Sequence, residues 1–141
     1  MILVDATGYG DNGRFDRIDA GIEDLILDNH TAMVINKSIG NAAFNHTLDA
    51  LRERRDQARH SFPVDRLCLG HLDDCMVEEL RKASWLNQGG ILVVDEAEQL
   101  DRLPQIAAML RERESDYMKI IYIVTVPVSS ATMEASAVIE D

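Results

Sequence analysis

The 141-residue chain carries 46% hydrophobic and 5% aromatic residues, enough for one buried core and too short for two ordinary domains. Twenty-five acidic side chains against fourteen Lys and Arg give a formal charge of −11, which opposes the long-range approach of DNA, RNA and anionic membranes. The two cysteines make no disulfide framework, no apolar run approaches the ~18 residues of a membrane span, and the first residues do not read as a leader, so a cytoplasmic protein is expected.

Met1 to Val4 is the first strand candidate. It runs into "DATGYGDNGRFD", residues 5 to 16, where Gly8, Gly10 and Gly13 give the backbone unusual freedom between a strand and a helix. Main-chain amides in such a loop can close around a phosphate. Gly8 and Gly13 keep the spacing of the phosphate loop G-x-x-x-x-G-K-[ST], with Arg14 in the lysine position and Phe15 in place of the hydroxyl. A planar guanidinium does not replace a compact ammonium without moving the loop, and Phe15 cannot ligate Mg²⁺. Asp5, Asp11 and Asp16 add charge that opposes a triphosphate. The same letters, "GYGDNG", are also ordinary turn chemistry.

Ile18, Ile22, Leu25 and Ile26 share one face of a first helix, Ala32 to Ile35 forms a second strand, and Phe44, Thr47, Leu48 and Leu51 share one face of a second helix. That helix carries the main basic cluster, Arg52, Arg54, Arg55 and Arg59, interleaved with Glu53 and Asp56. Such a cluster is ordinarily a solvated face with local ion pairs, and here it is also the best candidate for contact with nucleic acid or an acidic partner. Direct nucleic-acid binding is disfavoured by the overall charge. Leu67 to Leu69 is the third strand candidate. Cys68, His71 and Cys75 match no closed zinc knuckle, and the two cysteines read as small core hydrophobes. Met76, Val77, Leu80 and Ala83 mark a third helix.

Ile91 to Val94 is a buried strand by composition, and Asp95 and Glu96 arrive together at its C-terminal end. A carboxylate pair there needs a metal, a partner or water, unless Glu96 simply serves the first turn of the next helix. Leu103, Ile106, Ala107 and Leu110 mark a fourth helix, with Pro104 in its first turn. Ile120 to Val126 is a very apolar strand interrupted by polar Thr125, and the tail "SSATMEASAVIED" reads as a short helix or strand. Strands alternating with helices predict an α/β three-layer sandwich, a single domain over residues 1 to 141 with a mostly parallel sheet of about five strands.

In order and spacing, residues 1 to 128 resemble the ATPase core of the AAA+ class of P-loop NTPases, particularly the B-type transposition ATPases, whose Walker B segment often reads like "ILVVDEAEQL". The resemblance implies that Gly8, Gly10, Gly13 and Arg14 surround a nucleotide, that Asp95 faces Mg²⁺, that Glu96 is the catalytic carboxylate and that Thr125 is the polar sensor. It implies ATP or ADP with Mg²⁺ as ligands. With Arg14 and Phe15 departing from the pattern, binding is expected to be weak or absent. The implied role is then a pseudo-ATPase, a regulator or adaptor of a protein partner in the setting of DNA transactions. On this reading the strands at Met1, Ile91 and Ile120 form the parallel centre of the sheet. A second resemblance is to response-regulator receiver domains, through "ILVVDEAE" and "YIVTVPVSSATM". It implies a pseudo-receiver interaction domain with sheet order 2-1-3-4-5, in which Gly70 and His71 replace the phosphoacceptor Asp.

Overall fold

The computed structural model describes residues 1–7, 13–28, 30–57, 62–70, 89–115 and 118–126. In chain order these give β1 (Ile2–Ala6), α1 (Gly13–Leu27), β2 (Ala32–Lys37), α2 (Ala42–Gln57), β3 (Val64–Cys68), β4 (Gly90–Asp95), a 3-10 segment (Ala97–Arg102), α3 (Pro104–Arg113) and β5 (Met118–Thr125). All five strands are parallel, in the order β1-β2-β5-β4-β3, with helices on both faces. The expected α/β sandwich is the one observed. The helix expected around Met76 to Ala83 lies outside the described residues, as do Gly8, Gly10 and the tail from residue 127.

Chain direction explains the layers. From β1 to β2 and from β2 to β3 the chain steps one way across the sheet, and α1 and α2 share a face. From β4 to β5 it steps back, and α3 lies on the other, because parallel crossovers keep one hand. On the first face, Ile18, Ile22 and Leu25 of α1 and Phe44, Leu48 and Leu51 of α2 pack on Val4, Met33, Ile35, Val93, Ile121 and Ile123. On the second, Ile106, Met109 and Leu110 of α3 pack on Leu67, Leu92, Val94, Ile120 and Tyr122. Buried Thr47 satisfies its hydroxyl on the Ala43 carbonyl at 2.7 Å, so a polar residue does not interrupt the apolar stripe of α2.

The expectation that the Met1 strand is central is corrected. β1 pairs with β2 alone and forms an edge; the centre is β2, β5 and β4. The cause is visible in burial: Val4 and Ala6 are buried under α1, whereas Leu3 between them is exposed. That alternation belongs to a strand covered on one face, while β4 is buried at every residue from Ile91 to Asp95. The order also differs from 2-1-3-4-5.

Candidate functional site

Ligands in open α/β sheets bind beyond the C-terminal strand ends, where neighbouring connections depart to opposite faces. Here that place is the run β2-β5-β4, since β2 leads to α2 on one face and β4 leads to α3 on the other. Alternation along each strand puts Lys37, Thr125 and Asp95 on the same face, continuing Met33 and Ile35, Ile121 and Ile123, and Ile91 and Val93. Lys37 and Thr125 are register partners, while Asp95, one residue beyond the Val94–Tyr122 pair, lies two residues back along β5, so an ammonium, a hydroxyl and a carboxylate gather on one face of three neighbouring strand ends without forming a straight row.

Lys37 is only 5% exposed, and its Nζ donates to the Gly40 carbonyl at 2.8 Å. The intervening loop, Ser38 to Asn41, turns into α2 with Gly40 at φ 125°, a conformation that L side chains rarely adopt. The Val126 N–H donates to the Lys37 carbonyl at 2.9 Å, which ties the end of β5 to this loop. Sequence reasoning overlooked Lys37. Its signal was present in "NKSIGN", a polar and glycine-bearing run between an apolar strand and a helix, the same grammar that drew attention to residues 8 to 13.

Asp95 is 8% exposed. Burial pushes its carboxyl above the usual range, opposed by the Glu96 N–H, which donates to Oδ1 at 2.9 Å, and by the positive charge of Lys37. Glu96 is the sole non-glycine with positive φ among the described residues, at φ 55° and ψ 41°. Its carboxylate lies over Gly70, where a Cβ would overlap it, so Glu96 is turned toward the β3 side of β4. Cys68 is exposed and is not the core hydrophobe expected; partial desolvation, together with the charges of Asp95 and Glu96, raises its thiol above its ordinary value. Thr125 enters through its backbone: its N–H donates to Glu98 Oε1 at 3.0 Å, anchoring the 3-10 segment to β5.

The other sequence-derived residues stand apart from this group. Gly13 is the first residue of α1, reached from the end of edge strand β1. Strand ends of β1 and β4 are three spacings apart, roughly 14 Å. The Arg14 guanidinium lies 4.7 Å from the Phe15 ring centroid, and Phe15 stacks on His46 of α2 at 4.5 Å. His46 Nε2 meets Asp19 Oδ1 at 2.8 Å, so this cluster joins α1 to α2. Asp5 is engaged by the N–H and hydroxyl of Thr7, which lower its pKa. In the basic cluster, Arg54 pairs with Glu23 of α1, Arg55 meets Asp56 at 3.4 Å and Arg52 is exposed; Arg59 lies outside the described residues.

Among the described residues no three His, Cys, Asp or Glu side chains converge as a metal cage. A Mg²⁺ ion does not require one, because it is commonly held by one or two carboxylates with phosphate oxygens and water. Nor, among the described residues, is any helix long and apolar enough to cross a membrane. Comparison with protein-family models, curated protein sequences and solved structures finds no match to this chain.

Proposed function

We propose that this chain is a nucleotide-fold module related in layout to P-loop proteins, which binds a phosphorylated ligand at the ends of β2, β5 and β4 and works as a regulator or adaptor of a protein partner. The observation that carries the reading is the buried Lys37 set across β5 from buried Asp95, with the glycine-bearing loop into α2 beside it. Burying two ionisable side chains at a sheet edge costs stability, and clefts are where such costs coincide with function. Lys37 would face the phosphate, and Asp95 would face a divalent cation shared with it. A bound nucleoside phosphate with Mg²⁺ would supply the charge that this pair complements. Turnover is not part of the proposal: Lys37 is already engaged by Gly40, Glu96 is directed toward Gly70, and phosphoryl transfer depends almost wholly on positioning and charge compensation.

Thermal denaturation with ATP or ADP, each with and without Mg²⁺, tests the reading. A ligand at one hundred times its Kd adds about 2.7 kcal/mol, and roughly 9 °C is expected for a chain of this size. Lys37→Met should remove the shift while Arg14→Ala keeps it. Restoring the lettered loop with Arg14→Lys and Phe15→Thr should leave affinity unchanged, because that loop springs from the edge strand. A shift lost in Arg14→Ala and kept in Lys37→Met would move the site to residues 8 to 14. No shift with any nucleotide would favour the pure interaction domain.

A further inference from the structure

The two faces of the sheet are unequally covered. α1 and α2 pack on one, and among the described residues α3 and the 3-10 segment are the elements on the other. Leu67, Val94, Tyr122, Val34 and Leu3 are neighbours along one cross-strand row of the α3 face. Leu67, Val94 and Tyr122 are buried, Val34 is half-buried and Leu3 is 74% exposed. Met1, on the same face, is 71% exposed. Between β2 and α3 runs a groove of about 590 Å³, with Val34, Tyr122 and Val124 on its strand side and Leu100 and Ala107 across from them. Strands lie about 4.8 Å apart, so the open strip over β2 and β1 is roughly 10 Å wide, the width of one packed helix.

We propose that the strip over β2 and β1, beside α3, docks an amphipathic helix of a protein partner, one with an apolar stripe flanked by basic residues. This names the partner surface for the adaptor role proposed above and rests on that half of the reading, independently of the phosphate site. The floor is apolar from Tyr122 through Val34 to Leu3, the pattern that an apolar stripe at i, i+3, i+4 and i+7 matches. On the α3 side the groove is lined by Pro104, Ala107 and Ala108, whose small side chains let a second helix lie close against α3. An added strand is the poorer occupant, because the edge of β1 is partly satisfied from within. Arg17 Nε donates to the Asp5 carbonyl at 2.7 Å, and the Thr7 N–H turns to the Asp5 carboxylate at 3.0 Å.

Charge selects the flanks. Asp101 and Glu114 line the groove, with Arg111 opposing them. The Tyr122 hydroxyl donates to the Glu114 carboxylate, which fixes that acid at the groove wall. Asp5 follows Leu3 on the same face of β1 and is exposed; its bonds from Thr7 lower its pKa and keep it ionised at neutral pH. The whole chain adds a charge of −11, so a basic helix is drawn toward this face while an acidic one, or a second copy, is repelled.

The test uses the full chain and a designed fluorescent peptide of about 15 residues, the length of α1, with leucines at i, i+3, i+4 and i+7 and lysines beside them. One control peptide scrambles the stripe, and another puts glutamate in place of lysine. At ~150 mM salt the lysine peptide should bind by anisotropy, each control at least about tenfold more weakly, with NMR amide shifts in β1, β2 and α3. Leu3→Ser, at a position too exposed to carry the fold, should weaken binding about tenfold and leave the melt unchanged. Absence of binding at ~1 mM peptide, equal binding of a control, amide shifts confined to other elements, or full binding by Leu3→Ser overturns the proposal. Two measurements identify other occupants, and a positive result in either also overturns it. A dimer in sedimentation that Leu3→Ser dissolves assigns the face to a second copy. Slow thiol labelling of Leu3→Cys in the free chain, with Cys68 and Cys75 replaced by serine, shows the face already covered. Nucleotide melts keep the two readings apart: a lost nucleotide shift with peptide binding intact removes the phosphate site alone, and the reverse removes this interface alone.

Discussion

Gly21 lies on the buried side of α1, against Val4 of β1 and Met33 of β2. A Cβ at this position would stand 2.7 Å from Met33 Sδ and 2.7 Å from Val4 Cγ2. Ordinary contacts are about 3.5–4.0 Å, so Gly21→Ala demands roughly 1 Å of relief in two directions at once. Val4 is β-branched and stiff at χ1, and Met33 is fully buried, so the relief must come from lifting the helix or repacking the methionine. Overpacking of this kind costs about 1–3 kcal/mol. Alanine recovers about 1 kcal/mol of helix propensity. The balance is a destabilisation of about 1 kcal/mol, between ~0 and ~2.

At ~2.1 cal/mol/K per residue over 141 residues, the unfolding entropy is about 0.3 kcal/mol/K, so the expected fall in Tm is roughly 3 °C. Circular dichroism melts of the wild type, Gly21→Ala and Ala20→Gly measure it. Ala20 is the adjacent exposed position and reports helix propensity alone. If Gly21→Ala melts about 3 °C higher than wild type, as propensity without contact predicts, the close packing of α1 on β1 and β2 is refuted.

The Asp95 carboxyl has a raised pKa in the fold, so its contribution to stability is present below the unfolded value of 3.8 and is lost as pH climbs through the folded value. Asp95→Asn should therefore melt higher than wild type at pH 7 and lose that advantage below about pH 4; a lower Tm at pH 7 would mean that the attraction of Lys37 outweighs burial. Glu96 sits in the left-handed region, so Glu96→Gly should be neutral or stabilising and Glu96→Val should cost about 1–3 kcal/mol in urea denaturation; equal effects would remove the backbone account. Gly90 has φ 93° and faces the Pro63 carbonyl, so Gly90→Ala should be among the most damaging single changes in the sheet, read as a loss of folded yield or a steep fall in Tm. The chain should show no tight duplex-DNA binding at physiological salt, and any binding at low salt should weaken steeply with added salt and disappear in Arg52→Ala with Arg55→Ala; tight binding by fluorescence anisotropy at ~150 mM salt would overturn the charge argument.

The elements were legible because each is announced locally. Ile91 to Val94 is apolar without interruption and becomes the strand buried on both sides, while Pro104 opens α3 from a position that tolerates a missing N–H. Strand order was not legible, since "MILV" and "AMVI" are nearly equivalent as letters and only tertiary packing decides which is central. Leu3 shows the limit: a leucine inside an apolar run is read as buried, yet no helix of the described structure covers it. The same limit moved the candidate site. Asp95 and Thr125 were found from strand ends, but Lys37 became relevant only when β2, and not β1, proved to adjoin β5. Gly70 and Glu96 lie 26 positions apart in the chain, so their close approach had no local signature.

The charges around the proposed site restrict the kind of phosphate ligand that the proposal allows. Lys37 brings one positive charge, while Asp95, Glu96 and Glu98 gather at the end of β4 and the start of the 3-10 segment. A free di- or triphosphate entering this edge would meet more negative charge than positive, and in a partly desolvated cleft that repulsion is weakly screened. A divalent cation reverses the balance, because it can draw on Asp95 and the phosphate together. Nucleotide without Mg²⁺ should then produce little or no thermal shift, and nucleotide with Mg²⁺ should produce the full one. A shift of equal size in the presence of a chelator would place the phosphate away from the β4 carboxylates, against Lys37 alone.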